Sequence, residues 1–228
     1  MTTSGTTSFD LNLIEIVEEA FERAGAQLRT GNDFRSARRS LNLLASEWAN
    51  KGLNLWTVTE ATLSLVAGTS SYDLPSDCID VIEHSLRTGT GQSQVDYNLE
   101  RVGVGTWQSL ANKNQTGRPL QLFVERQIAP SVNIWPVPDQ SYTLVYWYLR
   151  RIQDAGATGT LTLDVPHRFL PALVAGLAYH VALKKSAMVP EIMQRITLLK
   201  SIYDEQFQLA ADEDRDRSSL WIAPYTGS

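Results

Sequence analysis

Three histidines, one cysteine and 25 acidic residues are the groups on which chemistry could rest in this chain. His84, His167 and His180 stand far apart in sequence, without carboxylates at metal-ligand spacing, and no HExxH is present. His180 sits between Tyr179 and Val181 in a helical pattern and reads as a packed or half-exposed histidine. His167 falls at the start of the same segment and reads as a capping or surface residue. Cys78 has neither the local signature of a thiol enzyme nor a second cysteine, which excludes an internal disulfide and a cysteine-based zinc site. It is expected to be a small buried residue. There is no GxSxG elbow and no GxxxxGK[ST] loop, and Gly103, Gly105 and Gly117 have the wrong spacing for GxGxxG. Two acids could still meet in space to hydrolyse a glycan, but no pair stands out. The acidic run at 212–216 reads as a solvated helix end. The sequence therefore implies no catalytic residue, no cofactor and no metal.

Two charged or apolar groupings resist a purely local explanation. Arg35, Arg38 and Arg39 follow a segment whose acids include Glu15 and Glu19. Within one chain they would form surface pairs worth about 0.2–0.5 kcal/mol each. Between chains they would form a contact in which a neighbour supplies the acids. The second grouping is the end of the chain, SSLWIAPYTGS. A terminus without structure seldom carries Trp221, Ile222 and Tyr225 together. It reads as a docking segment that orders on a partner, with packing onto its own domain as the alternative.

The elements that would carry these residues follow from periodicity. Asp10 to Gly25 predicts a helix with Leu13, Ile14, Val17, Ala20, Phe21 and Ala24 inward and Glu15, Glu18, Glu19 and Glu22 outward. Asp33, as N-cap, opens a second helix with Phe34, Ala37, Leu41, Leu44, Ala45 and Trp48 on one face and Gly52 at its end. Leu55 then begins a mainly β region that runs to Ile152 and includes Tyr142–Ile152, apolar on both faces. Asp164-Val-Pro opens a further helix, with Ala172, Ala175, Gly176 and Ala178 permitting close helix contact. One last helix carries Ile192, Ile196, Leu199, Tyr203, Phe207 and Ala210. The fold class is thus α+β. Residues 1–54 and 160–217 are expected to form one helical bundle, 55–159 an inserted, mainly antiparallel β-domain, and 218–228 an extended tail. Trp48 is expected in the bundle core.

Composition bounds the function. A chain of 228 residues, 43% hydrophobic and 20% charged, can bury roughly 70% of its unfolded surface. The formal net charge of −5 argues against a broadly basic nucleic-acid binder and fits a wall past which nucleic acid moves without sticking. No signal-peptide pattern opens the sequence. The apolar run from Phe169 to Leu183 is too short to span a bilayer. The expectation is a protein made in the cytoplasm and not inserted in a membrane.

Taken in order, DFRSARRSLNLLASEWANKGLNLWTV, GTSSYDLP, TGRP, SVNIWPVPD and DVPHRFLPALVAGLAYHVALK resemble the head-to-tail connector adaptors of tailed phages. The resemblance runs from about Phe9 to Arg217. It implies a structural virion protein that forms a ring of about twelve copies. Such a ring would sit at the head-tail junction, between the portal protein and the tail nozzle protein, with genomic DNA passing through its lumen. It also maps portal docking onto the tail, at Leu220, Trp221, Ile222, Pro224 and Tyr225, and Arg35, Arg38, Arg39, Glu15 and Glu19 become candidates for the contact between subunits. The resemblance carries over no catalytic motif. Two rivals remain: a cell-wall or glycan hydrolase, and a carbohydrate-binding tail component using Trp135, Trp147 and Tyr148.

Overall fold

A computed structural model describes residues 5, 9–52, 55–156, 162–186 and 190–214. In chain order its elements are α1 (Leu13–Ala24), α2 (Gly31–Asn50), β1 (Val58–Leu65), β2 (Ser71–Asp73), β3 (Cys78–Thr88), β4 (Val95–Asn98), β5 (Glu100–Arg101), α3 (Val104–Ser109), β6 (Thr116–Gly117), β7 (Gln121–Glu125), β8 (Ser131–Trp135), β9 (Val137–Pro138), β10 (Tyr142–Arg150), α4 (Leu170–Lys185), α5 (Pro190–Met193) and α6 (Ile196–Glu213). The chain divides into a helical unit, Met1–Trp56 with Ile152–Ser228, and a β unit, Thr57–Arg151. Helices from both ends of the chain flank a β region, so the α+β reading holds.

The helical unit is built around α4. Its residues are buried nearly all round, from Leu170 and Ala172 to Val181 and Ala182. A helix that is apolar on every side needs neighbours on every side, and α1, α2 and α6 all pack on it. The approach is closest at Gly176. A Cβ there would lie 2.8 Å from Leu44 Cδ2 of α2 and 2.9 Å from Tyr203 Cε2 of α6. Trp48 is fully buried in the same cluster, and its Nε1 donates to Tyr203 Oη at 3.2 Å. At the other end of α2, Lys185 donates to Asp33 at 2.6 Å. That hydrogen bond, foremost, holds the Asp33 carboxyl below the usual carboxylate range. With Asp33 beside Lys185 and Leu44 beside Gly176, α2 runs antiparallel to α4.

Helix ends and faces differ from the periodicity reading in several places. Asn12 caps α1 through a reciprocal capping box with Glu15, and Gly25 ends it at φ 75°. Ile16 is the buried isoleucine of α1, and Ile14 is exposed. Position 14 lies one residue beyond Leu13 and so turns away from the core face. Thr30, not Asp33, caps α2; Asp33 occupies the first turn and donates its own N–H to Thr30 Oγ1 at 3.2 Å. Leu55–Thr57 is a single 3-10 turn, and the strand starts only at Val58. Asp164 does not cap α4: its carboxylate accepts from Gln153 N, and a 3-10 turn at His167–Phe169 leads into the helix. The last helix is broken. Ile192 belongs to the short α5, and α6 starts again at Ile196.

In the β unit, one sheet has the order β1-β10-β3-β4, antiparallel throughout. A second has the order β2-β8-β7-β5, with β5 parallel to β7. Leu86, Leu144 and Tyr146 of the first sheet share one apolar cluster with Leu122 and Ile134 of the second. The central strand β10 buries Leu144, Tyr146 and Tyr148 there. On its other side Val145 is buried but Trp147 is 43% exposed.

Gly176→Ala separates packing from propensity. Alanine gains about 1 kcal/mol of helix propensity, whereas forcing a methyl against Leu44 and Tyr203 costs about 1–3 kcal/mol. The expected outcome is a net loss, read as a lower denaturant midpoint at unchanged slope.

Candidate functional site

Cys78 and His84 lie on β3, His167 in the 3-10 turn before α4, and His180 within α4. Cys78 is buried, and burial first, then Asp80 and Asp77, pushes its thiol up to about 11, far from a reactive thiolate. His84 Nε2 meets the Leu99 carbonyl at 3.0 Å, as the donor in its neutral tautomer. Among the described residues its buried Nδ1 has no hydrogen-bond partner. Burial lowers the pKa of His84, and likewise that of His180, whose Nε2 lies 3.9 Å from Glu47. The His167 ring meets Phe9 edge-on. Among the described residues no three His, Cys, Asp or Glu side chains cluster in a way that could hold a metal ion. Asp33 and Asp96 are both held below the usual range, by hydrogen bonds from Lys185 and Arg87 respectively. A general acid needs the opposite.

The aromatic residues of the β unit do not assemble into one groove. Trp135 is half-buried, its Nε1 donating to Asn112 O at 2.9 Å. Tyr148 is buried, and Trp147 points to the opposite face of β10. Trp107 instead stacks on Phe123 at 5.6 Å beside an open pocket of about 720 Å³.

The charged faces of α1 and α2 are the remaining candidate. Arg35 and Arg39 are exposed, and Arg38 is half-buried with Nη1 donating to Gly156 O at 3.3 Å. Glu15 Oε2 accepts from Asn12 N at 2.8 Å within the capping box, and Glu19 pairs with Arg23 at 2.7 Å. So three of the five sequence candidates have partners in their own chain, and none of the pairs joins the two helices. Glu18 and Glu22, which the sequence reading placed on the acidic side without singling them out, are exposed and make no ion pair among the described residues. Their i,i+4 spacing was the available signal. With Glu15 and Glu19 they form one wall of a groove of about 590 Å³ between α1 and the start of α4. Leu11, Leu170 and Val174 contribute its apolar surface.

On α6 the core face carries Leu199, Tyr203, Phe207 and Ala210, while Leu198 and Leu209 are exposed on the outer side. The tail candidates Leu220, Trp221, Ile222, Pro224 and Tyr225 lie outside the described residues. Among the described residues no helix is long and apolar enough to cross a membrane.

Both neutral histidines make stability pH-dependent. Their folded pKa values lie below the ordinary 6.5, so below 6.5 the unfolded chain binds more protons. Unfolding free energy is expected to fall as pH drops from 6.5 toward those lowered values. His84→Gln should flatten the part of this slope that belongs to the β unit, measured by urea unfolding across that range.

Residues 11–226 match the model of one protein family, described as SU10 adaptor protein. No curated protein matches the chain.

Proposed function

The chain belongs to the SU10 adaptor protein family, and on that premise we propose that it forms a ring joining the portal to the tail nozzle at the head-tail junction of a phage particle. Membership itself makes it a structural phage adaptor, a virion component that associates with other head-tail proteins. The observation that carries the reading is the extent of the match, which takes in both the helical unit and the β unit.

A ring repeats one contact between unlike faces until it closes. An assembly holding packaged DNA needs contacts of about 1,600 Å² or more. The helical unit supports this role. Its core is closed by α4 and Gly176, which leaves the charged outer faces of α1 and α2 for neighbours. We assign the tail at 218–228 as the segment that docks on the portal. The net charge of −5, if borne by the lumen, repels phosphates over about 8 Å at physiological salt, so DNA slides through without binding.

Deleting residues 218–228 should abolish attachment to portal rings in a co-sedimentation assay and leave the circular dichroism and thermal melt unchanged. A truncated chain that still sediments with the portal removes the docking role from the tail.

A further inference from the structure

Two pairs of charges in the helical unit lack a partner among the described residues. Glu18 and Glu22 lie one turn apart on the exposed side of α1; Arg35 and Arg39 lie one turn apart on the exposed side of α2. Both spacings are four residues, about 6 Å of helix rise. Their neighbours are all engaged within the chain: Glu15 in its cap, Glu19 with Arg23, and Arg38 with Gly156 O. Glu22 sits in the last turn of α1, where the helix dipole disfavours a negative charge. No internal gain offsets that cost.

The two faces also match in their apolar parts. Glu18 and Glu22 stand on the wall of the α1–α4 groove, and Leu11 and Leu170 lie toward the end where α1 begins. On the far wall Arg168 is turned onto the Phe169 ring, its Cζ 4.6 Å from the ring centre. With Glu15, Glu18, Glu19 and Glu22 against Arg23 and Arg168, the groove's lining is net acidic. On α2 the stripe of Arg35 and Arg39 continues one turn on to Leu43, which is 69% exposed. Lys184, held by Ser36, lies close enough to Arg39 to feel its charge and adds to the positive field of that ridge.

We propose that the groove between α1 and α4 receives the α2 ridge of a second copy of this chain, docked antiparallel to α1. Arg35 then meets Glu22, Arg39 meets Glu18, and Leu43 reaches the apolar end near Leu11 and Leu170. Parallel docking would carry Leu43 to the opposite, polar end. Each copy offers one ridge and one groove, so the contact joins unlike faces and propagates into a ring or a filament. The inference rests on the self-associating adaptor reading above and names its contact.

The test uses two full-length variants, Glu18→Arg/Glu22→Arg and Arg35→Glu/Arg39→Glu. All four positions are exposed, so both variants should melt like the wild type. Sedimentation velocity at low salt, alone and with portal rings, reads the assembly. The wild type should sediment as multiples of the chain, and each variant alone should lose them. An equimolar mixture of the two variants should regain them, because the basic groove of one accepts the acidic ridge of the other and the reverse contact is restored as well. A wild type that stays single in both settings overturns the proposal. So do variants that assemble like the wild type, or a mixture that fails to recover. Charge-swapped chains that still form rings on the portal place the contact elsewhere and leave the adaptor reading standing. A wild type that assembles but ignores the portal overturns the adaptor reading and not this contact.

Discussion

The missing side chain at Gly176 is the constraint on which the helical unit depends. Without a Cβ there, Leu44 of α2 and Tyr203 of α6 both close on α4 from within 3 Å of where that atom would stand. Tyr203 then has its hydroxyl between Trp48 and Glu47, accepting from the indole at 3.2 Å and donating to the carboxylate at 3.3 Å. These contacts join residues of the first sixty to residues near the end of the chain, across the whole of the β unit in sequence. A fully buried tryptophan with its N–H satisfied contributes its apolar area without the cost of an orphaned donor.

That economy decides what is left outside. Because α4 absorbs the inner faces of α1, α2 and α6, their outer faces have nothing further to bury within the unit. Charges appear there in two kinds. Some serve the chain itself, as Glu15 does in its capping box and Asp33 does against Lys185. Others, Glu18, Glu22, Arg35 and Arg39, serve nothing visible in one copy. An adaptor needs such surfaces, since its work is done by contacts and not by a reacting group. Cys78, buried and with its thiol pushed up by that burial, agrees with that division.

Local physics made part of this legible. The 3.6-residue stripes announced α1, α2, α4 and α6, and the run of small residues at 172–178 announced the close approach that Gly176 makes. Five of the six inward residues read for α1 are buried; Ile14 is the exception, because it is as apolar as Ile16 and only the packing chooses between them. Four consecutive residues, Thr30 to Asp33, are all plausible caps or first-turn residues, and the bond from Asp33 N to Thr30 settles the order. No alternation marks β4, because every residue of Val95–Asn98 is exposed; its register comes from β3. The partners of Asp33 and Arg38 lie 152 and 118 residues away, and no window of sequence carries such a pairing. Hence the arginine cluster could be noticed, but not sorted into the one that is anchored and the two that are free.

The proposed ring requires many copies of this chain to assemble together on one portal. Native mass spectrometry of the chain mixed in excess with purified portal rings measures this directly. The expected result is a single dominant complex whose added mass is one fixed multiple of the 25.4 kDa chain, matched to the portal's own symmetry. A mixture in which portal rings keep their own mass, or carry a scatter of one or two chains, would contradict it.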